Sequence, residues 1–435
     1  MSEFNITIPG GESKRLLTGG KYCPADIVVT AEGGSGYIPV EEKDVNFYDY
    51  DGTLLYSYTL AEAQALTELP PLPTQDGLIC QGWNWTLAEL LEQNSEMDVG
   101  AIYITADGKT RAVVELPSEE RLTLYLNFNG ASAVVEWGDG RSESVSGTGM
   151  HNLEHRYDSP GEYTIAIAVV SGKLVTSGNS TDSPFVGRVS LGSKVALKEF
   201  YGGSNLDPDF GWIGFNQSLN LRIATIPEGV TNIANSAFPQ CKSLGFIALP
   251  HSCVTIGSAF TYSHGGLSHI SLPPKLQSLG GSNFRASYAL RRVCIPQDVV
   301  TVGGIMFYQS GVREVVLPSG LSTLQSQFFD GCDQLREVIL PEGLEAIAGA
   351  AVRNCTALAR LEIPASVSSI GANAFYGDTH LGKLIFLPSV PPTVANANAF
   401  ELIPTDCVVE VPAASLAAYQ NATNYSGIAV QMVGV

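Results

Sequence analysis

The chain has 435 residues, of which 45% are hydrophobic and 15% charged, with 45 Gly and 24 Pro. This composition is too apolar for a disordered chain and indicates a folded, turn-rich, mainly β protein of several domains. The formal net charge of −19 disfavours nucleic acid and anionic membrane surfaces as partners.

The sequence predicts neither a membrane span nor an export signal. The longest uniformly apolar run is Ile165–Val170, far short of the ~20 residues that a membrane helix needs. The N-terminus has no apolar segment of the secretory kind, and the C-terminus shows no anchor. The eight cysteines include no C-x-x-C pair, which predicts reduced, buried thiols rather than disulfides or a zinc site. We expect no cofactor and no metal.

Residues 1–36 are predicted to be an N-terminal β leader that serves for attachment. The glycines of residues 33–37 (GGSGY) form a plausible flexible hinge to the next part of the chain. We therefore expect the leader to be separate from the modules that follow it.

Residues 37–118 are predicted to form a small α+β module. Two T-x-x-E signatures, Thr59–Glu62 and Thr86–Glu89, are typical of capped helix starts. They predict short helices at about 60–68 and 87–95, placed between short alternating strands.

Two features of this module could carry chemistry or binding. Asp49 and Asp51 match the D-x-D-G-T loop of haloacid dehalogenase-type phosphatases, in which the first Asp is the nucleophile. Too few residues follow for the doubly wound domain that this chemistry needs, and Asp-Gly between alternating strands predicts a hairpin. Trp83 and Trp85 could stack on a sugar, but in so small a module we expect them in the core.

The amino-acid sequence of residues 45–66 (VNFYDYDGTLLYSYTLAEAQAL) and 77–91 (GLICQGWNWTLAELL) resembles segments of tail-region proteins of phages and prophages of Gram-positive gut bacteria. Residues 5–31 resemble the short leader found in the same setting. This resemblance implies a virion protein whose N-terminal half attaches to other tail proteins. It also implies a homo-oligomer, with a trimer as the expected form.

Residues 119–178 are predicted to form a β-sandwich, because alternating strands flank a Gly-Asp-Gly turn and a Ser-Pro-Gly turn. The segments VVEWGDG and HRYDSPGEYTIAIAVV resemble a PKD-type, immunoglobulin-like domain. The residues that fall on the PKD pattern are Trp137, Asp139, Tyr157, Pro160, Gly161 and Tyr163.

Two further strings could suggest metals. His151, Glu154 and His155 spell H-x-x-E-H, but zinc peptidases need this string on a helix, and glycines and a Ser-Pro-Gly turn leave no room for one. Asp207 and Asp209 could share a calcium ion, although no acidic loop recurs and a solvated loop is the favoured interpretation.

The C-terminal half is periodic. Prolines that follow an aliphatic strand recur every 22 to 24 residues, at Pro227, Pro250, Pro273, Pro296, Pro318, Pro341, Pro364 and Pro388. Each unit also repeats an aliphatic residue, a large apolar residue that is usually Phe, a Leu or Val, and an alternating strand such as Val338-Ile339-Leu340. Since one unit cannot bury its apolar side, residues 186–435 are predicted to stack into a solenoid of eight or nine repeats.

The period-bearing segments, such as IPEGVTNIANSAFPQCKSLGFIALP, resemble BspA-like leucine-rich repeats of bacterial surface proteins, and residues 411–428 resemble the terminal cap of such arrays. The predicted fold class is therefore mainly β and multidomain: a small α+β module and a PKD-like β-sandwich, followed by a leucine-rich-repeat solenoid with a C-terminal cap.

Extended solenoid faces commonly bind partners, and one position in each repeat is predicted to point outward from the strands. The alternative is that these side chains are merely solvated. The predicted receptor-binding face consists of Phe246, His269, Arg292, Glu314, Glu337, Arg360 and Lys383. Two positions further along lies a partly apolar stripe, Ala248, Ser271, Cys294, Val316, Ile339, Glu362 and Ile385.

We therefore expect a non-enzymatic recognition protein without a catalytic site. Its predicted partners are a cell-surface polysaccharide or protein receptor and other virion proteins. Two hypotheses stay open: a phage or prophage tail protein located in the virion, or a bacterial cell-surface adhesin that binds host or neighbouring cells. The missing export signal and anchor favour the first, because a virion protein is released by lysis.

Overall fold

A computed structural model describes residues 6–7, 13–14, 43–116, 121–175, 196–210, 219–238, 240–261 and 265–435. The chain divides into two compact units, Met1–Glu41 and Glu42–Val435. In the first unit, β1 (Ile6–Thr7) pairs with antiparallel β2 (Ser13–Lys14). The rest of the predicted leader, including its glycine hinge, lies outside the described residues.

The predicted fold class is confirmed: the chain is mainly β, with 34% strand and 8% helix, and its C-terminal part is a solenoid of about 10 turns. That is slightly more than the eight or nine repeats predicted.

The α+β module is one four-stranded sheet with two helices. Its strand order is β4-β3-β6-β5. Both predicted helices are present, and each begins with a capping box in which Thr59 or Thr86 and the Glu three residues later bond reciprocally. The elements are β3 (Val45–Tyr48), β4 (Leu54–Tyr58), α1 (Leu60–Gln64), β5 (Leu78–Trp83), α2 (Leu87–Gln93) and β6 (Met97–Thr105).

The sandwich is built from two sheets over an apolar core. β8 pairs with β11, and the facing sheet has the order β10-β9-β12-β7-β13, continued by β15 (Ile223–Thr225) of the solenoid. Trp137 is buried, and its ring stacks on His155 with 4.6 Å between centroids. The strands are β7 (Thr110–Leu116), β8 (Arg121–Phe128), β9 (Ser132–Glu136), β10 (Ser142–Ser146), β11 (Gly149–Arg156), β12 (Gly161–Val170) and β13 (Ala196–Tyr201).

One strand crosses the predicted division between module and sandwich. β7 lies within residues 37–118, yet it pairs with β12 and β13 in the sandwich sheet. β13 then pairs in parallel with β15 of the solenoid. The sheet is therefore shared between sandwich and solenoid, and residues 42–435 form one compact unit.

The solenoid has two sets of short parallel strands. We call the first set the strand face: β15 (Ile223–Thr225), β17 (Phe246–Ala248), β19 (His269–Ser271), β21 (Arg292–Cys294), β23 (Glu314–Val316), β26 (Arg360–Ile363), β28 (Lys383–Phe386), β30 (Val408–Val411) and β31 (Met432–Gly434). We call the second set the second ladder: β14 (Asp209–Phe210), β16 (Asn232–Ile233), β18 (Thr255–Ile256), β20 (Ser278–Leu279), β22 (Thr301–Val302), β24 (Thr323–Leu324), β25 (Ala346–Ile347), β27 (Ser369–Ile370) and β29 (Thr393–Val394).

The strand registers confirm that each sequence repeat is one coil. Phe246 pairs with His269, and Arg360 pairs with Lys383, one repeat further along the chain in each case. The repeated phenylalanines stack in the core: the ring of Phe307 lies 5.3 Å from that of Phe284 and 5.5 Å from that of Phe329. Short 3-10 turns and α3 (Leu416–Gln420) follow at the C-terminal end.

The seven described cysteines are free, and six of them are buried, as predicted. The thiols of Cys332 and Cys355 donate to the carbonyl oxygens of Phe307 and Phe329 at 2.9 and 3.2 Å. Burial raises the pKa of Cys332 to about 12, so these thiols stay protonated and act as small core side chains.

One predicted strand is wrong. Residues 336–340, which contain Val338-Ile339-Leu340, are not assigned to any strand, although the same pattern forms a strand in neighbouring coils. Val338 and Leu340 are buried while Glu337 and Ile339 are exposed. The segment therefore keeps the in-and-out alternation but does not pair along the strand face.

Candidate recognition surface

The α+β module lies across the first part of the strand face. The rings of Tyr48 and Phe246 lie 5.3 Å apart, and both residues are buried with Ile102 and Ala248. At Gly100 the two backbones approach so closely that an added Cβ would lie 2.2 Å from the Cβ of Ala248. The N-terminal part of this face is therefore an internal interface of the chain.

Side chains of the module reach carbonyl groups at the ends of the solenoid strands. The amide of Asn84 donates to the carbonyl oxygens of Leu249 and Ser271 at 3.0 and 3.3 Å. The indole of Trp85 donates to the carbonyl oxygen of Leu272 at 2.9 Å. Both donor residues and all three acceptor residues are buried, so these bonds fix the orientation of the module.

Charged groups surround this interface. His269 Nδ1 lies 3.2 Å from the Tyr48 hydroxyl and 3.3 Å from Asp98 Oδ2. Arg292 donates to the carbonyl oxygens of Lys43 and Asp44, both at 3.1 Å. His251 Nε2 lies 2.9 Å from Glu89 Oε1 on α2.

Glu96 has an unusual environment at the same edge. Its carboxylate lies 3.5 Å from Arg292 Nε, and Arg292 Nε also lies 3.5 Å from Glu314. Burial and the neighbouring Glu314 carboxylate raise the pKa of Glu96 to about 7, against the opposing effect of Arg292. The two glutamates therefore compete for one guanidinium.

The predicted receptor-binding face is therefore divided into a part that the module covers and a part that stays exposed. Of the seven residues predicted to point outward from the strands, Phe246 is 2% exposed, because its ring lies against Tyr48 of the module. His269 and Arg292 are also partly covered by the module. The physical reason is that β6 packs on these strands, which no repeat pattern reveals.

Of the other four side chains of the predicted face, Glu314 lies at the edge of the module near Glu96, and Glu337, Arg360 and Lys383 lie beyond it. Glu314, Glu337 and Arg360 are exposed and Lys383 is half-buried. Arg360 pairs with Glu362 at 2.6 Å, and Lys383 pairs with Glu410 at 2.8 Å. We call this region, from β23 to β28, the open strand face.

In the stripe predicted two positions further along, one apolar side chain is largely exposed. Ile339 is 76% exposed, whereas Ala248, Cys294 and Ile385 are buried. Cys294 contributes to the core of the α+β module. The exposed apolar side chain of the open strand face is thus contributed by the coil whose strand is missing.

The strings that could suggest catalysis have structural roles. Asp49 lies at the β3–β4 hairpin, as predicted, and its buried carboxylate accepts bonds from Tyr103 (2.7 Å) and Gln75 (2.8 Å). His151 and His155 lie on strand β11, so about 13 Å of extended chain separates them. His155 instead contacts Asp139 at 2.7 Å.

Both candidate tryptophans are buried, as expected for core residues. The indole of Trp83 donates to the carbonyl oxygen of Pro70 at 2.8 Å, inside the module. Asp207 accepts a bond from the backbone of Asp209 at 3.0 Å, which makes a local turn. Among the described residues, no group of three or more His, Cys, Asp or Glu side chains could hold a metal ion.

Sequence reasoning missed the role of Asn84 and Trp85 in docking. The only available signal was the pair of tryptophans in GWNW, which marks a rigid apolar anchor of the kind found at interfaces.

No helix in the part of the chain that the structure describes is long and apolar enough to cross a membrane.

The chain is similar to solved leucine-rich repeat structures. A leucine-rich repeat protein from Bacteroides ovatus is 18% identical over 56% of this chain and 78% of its own, with a TM-score of 0.37. A leucine-rich cell surface protein from Faecalibacterium prausnitzii is 24% identical over 40% and 57%, with a TM-score of 0.31. The pneumococcal vaccine antigen PcpA is 17% identical over 55% and 66%, with a TM-score of 0.35.

No curated protein matches the sequence. The repeats themselves match a family model, described as the BspA type leucine rich repeat region, in 6 copies over residues 211–334 and 300–404. The solenoid of this chain is therefore built from a region similar to the BspA-type leucine-rich repeats.

Proposed function

We propose that this protein is a non-enzymatic recognition protein that binds a cell-surface receptor through the open strand face. The observation that carries the proposal is the division of the strand face, because the module covers its first strands and leaves Glu314, Glu337, Arg360 and Lys383 at the surface. Repeats of this type are typical of cell-surface or extracellular proteins, and solenoid faces are common binding surfaces.

We further propose that the chain is carried by a phage or prophage tail. The support is the resemblance of the N-terminal segments to tail-region proteins. In this proposal the N-terminal half binds other tail proteins, and the chain assembles as a trimer. The second candidate is an adhesin on a bacterial surface, which is favoured by the match to BspA-type repeats.

The test uses fluorescently labelled full-length protein mixed with whole cells. The variant combines Glu337→Lys with Arg360→Glu on the open strand face. The matched control combines Glu143→Lys with Lys242→Glu, which are exposed residues elsewhere and leave the net charge equally unchanged. We expect the first variant to lose at least tenfold in cell binding and the control to bind like the parent protein.

The kind of cell that the labelled protein binds distinguishes the tail protein from the adhesin. Binding to a narrow set of Gram-positive strains supports the tail protein, and binding to animal cells or matrix supports the adhesin. Equal binding by both variants would show that recognition does not use the open strand face.

A further inference from the structure

The strand face is open at the coil that lacks its strand. Of residues 336–340, Arg336 donates a backbone bond to the carbonyl oxygen of Arg313 on one side, at 3.2 Å. On the other side, no backbone hydrogen bond joins residues 336–340 to residues 359–363, all of which the structure describes. β26 pairs with β28 but presents its other edge to this gap.

The gap is a cavity and not a collapsed contact. Its volume is about 380 Å³, and it is lined by Arg336–Leu340 on one side and by Ala359, Arg360 and Glu362 on the other. The two coils remain joined at the second ladder, where Leu324 pairs with Ile347 and Ile347 with Ile370. The opening is therefore confined to the strand face.

The gap lies between the free edge of β26 and the unpaired backbone of residues 336–340, and unpaired backbone groups are the requirement for adding a strand. Such edges bind extended polypeptides through main-chain hydrogen bonds, while alternate side chains give specificity. The lining contains no aromatic side chain that could stack on a sugar ring. The chemistry of the gap thus favours a polypeptide over a polysaccharide.

The same face already binds polypeptide at its other end. There, the module supplies donors to the strand-end carbonyls of Leu249, Ser271 and Leu272. The gap at residues 336–340 continues this face beyond the edge of the module, and no described residue of the chain fills it.

We infer that an extended segment of a receptor protein inserts as a parallel or antiparallel strand between residues 336–340 and β26. This inference rests on the proposed function and names the class of its partner. Val338 and Leu340 point inward, so the inserted strand needs apolar side chains on its inward face. Glu337 and Glu362 line its outward face, so charge complementarity favours a Lys or Arg there.

The test is selection of 12-residue peptides from a random displayed library on the full-length protein, followed by synthesis of the selected peptides. We expect alternating apolar and polar residues with an outward basic residue. N-methylation of a central backbone amide should weaken binding at least tenfold, whereas methylation of a terminal amide should not. Hydrogen exchange should slow at residues 337–340 and 360–363.

The protein variant is Ile339→Asp, with Val300→Asp as its control. Ile339 and Val300 are 76% and 75% exposed, so both changes place the same charge on an equally exposed side chain. We expect peptide affinity to fall at least tenfold for Ile339→Asp and to stay unchanged for Val300→Asp.

Recovery of no peptide, binding that tolerates central N-methylation, or equal binding by both variants overturns the inference. Protection of the same amides by purified cell-wall polysaccharide instead of peptide also overturns it. If cell binding still falls with Glu337→Lys and Arg360→Glu while no peptide binds, the proposed function stands and the inserted strand does not.

Discussion

Gly100 controls how closely the module approaches the solenoid. Its missing side chain lets β6 lie against Ala248 and Phe246, and an added Cβ would meet the Phe246 ring at 3.1 Å as well as the Ala248 Cβ. A sequence shows such a glycine but not the surface it faces. Here that surface belongs to a repeat almost 150 residues further along the chain.

Gly100→Ala tests this contact. Because neither neighbour is a flexible side-chain end, the backbones must separate, at a cost of about 1–3 kcal/mol for overpacking. Hydrogen exchange measured by mass spectrometry should speed up in β6 and β17. The control is Gly320→Ala, where an added Cβ meets nothing within 4 Å. Equal exchange in the two variants would show that the interface tolerates a side chain at residue 100.

At the scale of elements, short-range signals predicted structure well. The T-x-x-E signatures placed both helix starts, because a capping box needs only four consecutive residues. The repeat spacing likewise placed the coils, because the pattern recurs every 22 to 24 residues along the chain. The missing strand at residues 336–340 could not be predicted, because its apolar alternation is the same as in paired coils and pairing depends on the neighbouring coils.

The two capping boxes provide a matched pair of variants. Thr86→Ala should cost about 1 kcal/mol for the lost N-cap, and it also disturbs Glu89, which contacts His251 on the solenoid. Thr59→Ala should cost a similar amount, but the described hydrogen bonds of α1 stay inside the module. We expect faster hydrogen exchange around His251 with Thr86→Ala only. A change there with Thr59→Ala would contradict this.

At the scale of the whole molecule, the motifs and repeats of the sequence predicted separate modules. In the structure, one sheet is shared between the sandwich and the solenoid. Repeats and turn signals are local and predicted a solenoid and a sandwich. Whether β7 pairs with the module or with the sandwich depends on tertiary contacts, as does the docking that removes Phe246 from the predicted face. The repeat pattern predicts which positions of the open strand face point outward. It does not predict where the module ends and the open strand face begins.

This sharing predicts how fragments behave. A fragment of residues 119–178 lacks β7 and β13, so Ile165 and Ile167 lose β7, the strand on one side of β12, and the sheet ends there. We expect a poorly dispersed amide NMR spectrum from this fragment and cooperative thermal unfolding from residues 42–435. A well-dispersed spectrum from the short fragment would show that the sandwich does not need these strands.

The continuous sheet from β10 through β7 and β13 to β15 also determines how the molecule transmits mechanical tension. If one end is anchored and a receptor is pulled away, the force enters the solenoid through rows of hydrogen bonds and not through a loose linker. The row on the strand face is interrupted between β15 and β17, between β19 and β21, and at residues 336–340. A partner strand seated at residues 336–340 would bridge the last of these breaks, so that binding would stiffen this part of the solenoid along the line of pull.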